Sequence, residues 1–375
     1  MDLIGKVLND AVAAGDAASV AAGVTNAEKT LFQASAGTTL RGGEQAVDAD
    51  TVFWIASMTK PVTSVAAMQL VEAGRLSLDA PIGDLLPELA KPLILENGRL
   101  RAAKKQITLR HLLTHTAGFS YPFTSPEYAA YIATLPAPPV MGTRAALNAP
   151  LLFEPGERWE YGLSTDWVGL AVEAASGETL DAYFKKHIFA PLGMEDTSFL
   201  PDEDQQARRA AIHQRQEDGS LTPSPPKPPQ RPEVFSGGGG LFSTLNDYQK
   251  FLRMFLASGG GVISPETVAE MSRNQIGDLR AGRLPSVDPA FMNGSDAAPG
   301  IDAKWGLGFM IHPVPGPLGR HAGSLSWAGA ANTYFWIDPA AGLASVILMQ
   351  ILPSGDAGTI KTYGCFEKAI CAASR

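Results

Sequence analysis

The chain is poor in cysteine: Cys365 and Cys371 are the only two in 375 residues. Their spacing is not a metal signature, and so few thiols suit a reducing cytoplasm. Six histidines are scattered along the sequence without a Cys-x-x-Cys partner motif. No metal and no cofactor is expected. No run of about 18 apolar residues could cross a bilayer, so a membrane partner is excluded. Basic residues are in deficit, 30 against 38 acidic, for a net charge of −8. With no strongly basic patch, nucleic acid is excluded as a partner. There is no phosphate-binding glycine loop opening a helix and no Gly-x-Ser-x-Gly elbow. The opening residues read as an amphipathic helix rather than a signal peptide, because acids come early and a basic leader is missing.

What is present is an ordinary globular composition, 45% hydrophobic and 18% charged, long enough for two subdomains. Its centre of gravity is the stretch Trp54 to Gly74, a nearly unbroken apolar helix pattern closed by a glycine. Pro61 is tolerated only near a helix start, which pins the N-terminus beside Ser57. Ser57 and Lys60 are three apart and share one face there. A serine hydroxyl needs a neighbouring base before it is a useful nucleophile. A lysine can take that proton where burial disfavours the ammonium, and a helix N-terminus favours negative charge on the serine oxygen.

Taken in order, an N-terminal helix precedes two strands, Ala17 to Val24 and Thr30 to Ala36, joined as a hairpin. Residues 84–106 read as loop. Thr108 to Gly118 is a short helix whose His111 and His115 read as hydrogen-bonded structural groups rather than bases. Residues 119–150 read as irregular. A turn at Pro155-Gly156 delivers Tyr161, and helices follow at about Trp167 to Ser176 and Asp181 to Phe189. The proline-rich segment Pro223 to Pro232 reads as a stiff connector. The glycines at 237–240 read as a close backbone approach before a helix from Thr244 to Ala257. A short helix from Pro265 to Arg273 and an irregular loop over 274–303 come next. Strands are expected at Trp305 to Ile311, Asn332 to Ile337 and Leu343 to Gln350, and a helix at Ile360 to Ala373. Strands at both ends and helices between them predict an α+β protein. Its sheet domain (1–52 and 230–375) carries an all-helical insertion (53–229), with the site between them.

Three stretches in this order resemble the serine β-lactamase and penicillin-binding-protein superfamily: Ser57-Met58-Thr59-Lys60, Tyr161-Gly162-Leu163, and Trp327-Ala328-Gly329 running into Ala330 to Pro339. The resemblance is nearest to the family VIII carboxylesterases. It implies a class C β-lactamase-like fold, with an antiparallel sheet flanked by terminal helices beside the helical domain. It further implies Ser57 as nucleophile, Lys60 and Tyr161 as a shared base, and the backbone N–H groups of Ser57 and Ala330 as oxyanion hole. Leu163, Trp327 and Gly329 would face substrate. The lactamases carry an asparagine where Leu163 stands and a lysine where Trp327 stands. Two apolar groups in place of an amide and an amine suit a neutral ester. An indole does no acid–base work, so Trp327 reads as a pocket wall. The expected function is a cytoplasmic serine carboxylesterase for short- to medium-chain esters, with a small-molecule ester as its partner. The alternatives are a β-lactamase or D-alanyl peptidase, an acyltransferase with an alcohol acceptor, and a penicillin sensor that acylates once.

Overall fold

The computed structural model describes residues 2–140, 142–225 and 231–373. Part of the proline-rich connector, 226–230, therefore lies outside the described residues. A seven-stranded antiparallel sheet is built from both ends of the chain. Its spatial order is Lys304–Trp305, Met310–His312, Ser324–Gly329, Thr333–Asp338, Leu343–Leu348, Ser19–Thr25 and Thr30–Gly37. The first strand therefore pairs with the last long one, Ala21 opposite Leu348.

The sheet is buried on both faces, and its period-two alternation sorts side chains between two cores. Val20, Ala22, Val24, Trp336 and Ile347 face one way, against Ile4 and Leu8 of the Asp2–Ala13 helix and Phe366 and Ile370 of the Ala357–Ala373 helix. Ala21, Phe335, Ile337, Val346 and Leu348 face the other, into the larger core with the Thr59–Glu72 and Leu245–Leu256 helices. The Leu245–Leu256 helix is capped by Thr244, whose side chain accepts from Asp247 N–H. It ties itself to the turn carrying Ser57 through Tyr248 Oη, which donates to the Met58 carbonyl at 2.9 Å.

Several stretches depart from expectation, among them a central strand, Ser324–Gly329, in a stretch assigned to no element. Residues 93–102, read as loop, form a hairpin of Leu93–Glu96 and Arg99–Ala102. Asn97 (φ 53°) and Gly98 (φ 73°) supply the two positive φ angles that a tight hairpin turn requires. The irregular reading of 119–150 is interrupted by helices at Pro126–Ala133 and Arg144–Leu147, capped by Ser125 and Thr143. The strand expected from Trp305 to Ile311 is two short strands, because Gly308 turns at φ 100° against Ser64 of the Thr59–Glu72 helix. Between the sheet's two sequence blocks the chain is mainly helical. It also contributes His213–Arg215 and Leu221–Pro223 to a small sheet that pairs with Ile351–Leu352.

Candidate active site

The turn carrying Ser57 is held by the 239–241 segment and by its own Thr59. Ile55 N–H donates to the Leu241 carbonyl at 3.1 Å, and the Trp54 indole N–H donates to Gly239 at 2.8 Å. Thr59 Oγ1 donates to Ala56 at 2.7 Å and accepts from Leu241 N–H at 3.1 Å. Ala56 takes φ 44°, a left-handed conformation that costs an alanine about 1–2 kcal/mol and lifts Ser57 at the head of its helix. Ser57 remains half-buried.

Lys60 is fully buried at 0% exposure, yet no ion pair to it occurs among the described residues. Its Nζ donates to Gly238 O at 2.7 Å and contacts Ser57 Oγ at 3.1 Å and Tyr121 Oη at 3.3 Å. The Tyr161 ring lies beneath the amine, 4.5 Å from Nζ to centroid. Tyr161 Oη accepts from the Trp327 indole at 3.1 Å, so Trp327 donates a hydrogen bond as well as forming a wall. Both rings are buried, within an aromatic cluster that includes Trp159, Trp305 and His115.

The structure thus brings Ser57, Lys60, Tyr161 and Trp327 together. Gly329 ends its strand against the nucleophile turn. A Cβ there would meet Ile55 O at 2.3 Å and Thr333 Oγ1 at 2.2 Å, so only glycine permits this approach. Ala330 follows as the half-buried first residue of the turn into the next strand. Leu163 belongs to the main core at 1% exposure and precedes the Ser164–Ser176 helix, its carbonyl accepting from Asp166 and Trp167.

Sequence reasoning missed Tyr121, which lay in a stretch read as irregular. Burial, reinforced by the nearby Asp166, pushes its phenol well above the usual tyrosine range, so it stays protonated. The signal was the run Phe119-Ser120-Tyr121 directly after the helix-ending Gly118. His111 is hydrogen-bonded as expected, its Nδ1 accepting from Thr108 N–H at 3.2 Å in a capping box. His115 is not: both ring nitrogens are buried with no hydrogen-bond partner among the described residues. Burial first, and Lys60 second, depress its pKa well below the ordinary histidine value, leaving a neutral ring.

A cavity of ≈ 230 Å³ walled by Phe119, Tyr131 and Trp167 does not include Ser57. Among the described residues no group of acidic, histidine or cysteine side chains is arranged to hold a metal. Among the described residues no helix is long and apolar enough to cross a membrane.

A hydroxyl at a helix head, a buried amine in contact with it, and a phenol under that amine are the parts of a nucleophilic acyl-transfer centre. Comparison with known proteins agrees. A family model described as Beta-lactamase matches residues 5–364, and the chain belongs to that family of serine hydrolase-type and acyl-transfer enzymes. It is 35% identical to a monacolin J acid methylbutanoyltransferase of Aspergillus terreus, over 86% of this chain and 82% of the relative. It is 33% identical to a lovastatin esterase of Penicillium rubens, over 84% of each. Unliganded simvastatin synthase (LovD) from Aspergillus terreus superposes with a TM-score of 0.86 at 30% identity, over 99% of this chain and 98% of that one.

Proposed function

We propose that the protein is an acyltransferase that carries a short, branched or linear acyl group from an activated ester or thioester to an alcohol acceptor, with ester hydrolysis as its reaction when water replaces the acceptor. What carries this reading is the 35% identity to a methylbutanoyltransferase on a scaffold whose site holds an indole where lactamases hold a lysine. The kinship to a lovastatin esterase supports the hydrolytic branch of the same chemistry. The short- to medium-chain carboxylesterase activity expected from sequence thus becomes the secondary reaction.

In this mechanism Ser57 Oγ attacks the acyl carbonyl while its proton passes to the Lys60–Tyr161 pair. Both contacts start from the 3.1 Å Ser57–Lys60 approach and the amine over the phenol ring. The tetrahedral oxyanion forms against the N–H groups of Ser57 and Ala330, where loss of one donor costs about 3 kcal/mol. Collapse expels the thiol or alcohol, which takes up the proton. The acceptor hydroxyl then repeats the sequence in reverse, giving its proton to the same pair and leaving with the acyl group.

The test is product partitioning. With p-nitrophenyl butyrate or a butanoyl thioester as donor and a secondary alcohol as acceptor, transfer should exceed hydrolysis at millimolar acceptor, and Ser57→Ala should abolish both. Hydrolysis unaffected by acceptor would return the protein to the esterases, and nitrocefin turnover above that of the esters would return it to the lactamases.

A further inference from the structure

A carboxylate outside the Ser57–Lys60–Tyr161 group sits one residue removed from the Lys60 amine. Asp166 occupies the first turn of the Ser164–Ser176 helix and is 3% exposed. Its Oδ1 accepts from Ser236 Oγ at 2.6 Å and from Gly238 N–H at 3.0 Å. Gly238 in turn offers its carbonyl to Lys60 Nζ at 2.7 Å, the shortest contact the amine makes. No lysine or arginine pairs with Asp166 among the described residues. The segment between the two groups has no freedom to drift. A Cβ on Gly238 would come within 2.5 Å of Asp166 Oδ2, and one on Gly237 within 2.8 Å of the Thr165 carbonyl. From the opposite side Thr63 of the nucleophile helix donates to Gly237 O at 2.7 Å.

We infer that Asp166 is a positioning residue for Lys60: it fixes the Gly238 peptide that holds the amine against Ser57, and supplies negative charge to the site without forming a direct ion pair. The inference rests on Lys60 serving as base. A buried carboxylate in direct contact would draw the amine away from Ser57 by a charge-assisted bond. Placed behind a glycine, the same charge acts at longer range, and the amine's near acceptors remain a neutral carbonyl, a hydroxyl and a phenol. The other titratable groups facing this region are Tyr121 and Tyr161, from the segments after Gly118 and before the Ser164 helix, His115, whose ring is 4.9 Å from Tyr161, and Glu160, whose Oε1 accepts from Ser120 Oγ beside Tyr121. Burial holds His115 and Tyr121 neutral, and Asp166 is the carboxylate bonded to the peptide whose carbonyl accepts from this amine.

The experiment compares Asp166→Asn, Asp166→Ala and Lys60→Ala in the intact protein, by steady-state kcat and KM on p-nitrophenyl butyrate, pH–rate profiles and thermal melting. Asn can still accept from Ser236 and Gly238, so it removes charge and keeps geometry. The expected result is a fall in kcat of about tenfold for Asn and about a hundredfold for Ala, with KM within about twofold, as for loss of interactions that tune the reacting groups. In Asp166→Asn melting should stay close to that of wild type while kcat falls, which separates positioning of the amine from a defect in folding. Wild-type kcat and pH profile in Asp166→Ala, with Lys60→Ala dead, would overturn this inference alone. Near-wild-type activity in Lys60→Ala would instead overturn the base assignment beneath it. Ser236→Ala removes one donor from the carboxylate and keeps the test decisive if Asp166→Ala does not fold. It should lower kcat about threefold at constant KM, and no change would count against the inference.

Discussion

Replacing Trp327 with phenylalanine isolates one hydrogen bond in the site. The indole N–H reaches Tyr161 Oη at 3.1 Å, with both groups buried. Phenylalanine retains an aromatic ring against Trp305, whose centroid lies 4.6 Å from that of Trp327, but it has no donor. At rest the bond joins a neutral donor to a phenol and contributes about 1 kcal/mol to folding. If Tyr161 carries negative charge as Ser57 attacks, the same bond becomes charge-assisted, worth about 1.5–3 kcal/mol. The excess appears only in the transition state, so kcat should fall by about 3- to 30-fold beyond any change in KM. The assay is steady-state turnover of p-nitrophenyl butyrate by wild type, Trp327→Phe, Tyr161→Phe and the double variant, with melting curves to confirm folding. An indole acting solely through the phenol oxygen adds nothing once that oxygen is gone, so the double variant should match Tyr161→Phe. A Trp327→Phe enzyme within twofold of wild type, or a double variant in which the losses multiply in full, would refute the reasoning and leave Trp327 as a wall.

Tyr121→Phe removes a contact to Lys60 made by a phenol that stays neutral. It should cost kcat about 3- to 10-fold while leaving both limbs of the pH–rate profile in place. Gly329→Ala drives a methyl into the Ile55 carbonyl and Thr333. Melting should fall by an amount corresponding to about 1–3 kcal/mol, and activity should fall further because the nucleophile turn is displaced. Burial, aided by the Arg320 charge, lowers the His312 pKa from 6.5 to about 4. The unfolded chain therefore binds the extra proton first. Stability is full above about pH 6.5 and is lost as pH falls through the window to about 4, a contribution of roughly 3 kcal/mol. In melting experiments between pH 7 and 4.5, His312→Gln should show a shallower acid decline than wild type.

The Ser57–Lys60 pairing was legible because its signal is local. A proline fixes the helix start, a three-residue spacing fixes the face, and an apolar run fixes the burial. The paired N- and C-terminal strands were visible as alternation, and their partners follow from the antiparallel sheet. What escaped was set by contacts distant in sequence. Tyr121 looks like any loop aromatic until Lys60 reaches it from 61 residues away. Asp166 looks like an ordinary first-turn acid, and only the hydrogen bonds it accepts from Ser236 and Gly238 show otherwise. The Leu93–Ala102 hairpin had a readable signal in Asn97-Gly98, but its strands are four residues each and half exposed, too short for alternation to stand out. Trp327 was read by what an indole cannot do. Its one donor acquires a purpose only when Tyr161 is placed opposite it.

The pairing of Ala21 with Leu348 also sets a schedule for synthesis. The Ser19–Gly37 hairpin leaves the ribosome early with one edge unmatched, and that edge must wait while more than three hundred further residues are made. At translation rates of about 5–20 residues per second the wait is tens of seconds, during which an apolar strand edge is open to other chains. The Leu343–Leu348 strand that closes it is made just after the Gly329–Thr333 turn that packs beside Ile55 and Ser57, so the sheet and the surroundings of Ser57 are completed by the same late event. Yield in a heterologous host should therefore depend on chaperone capacity more steeply than the stability of the finished enzyme would suggest.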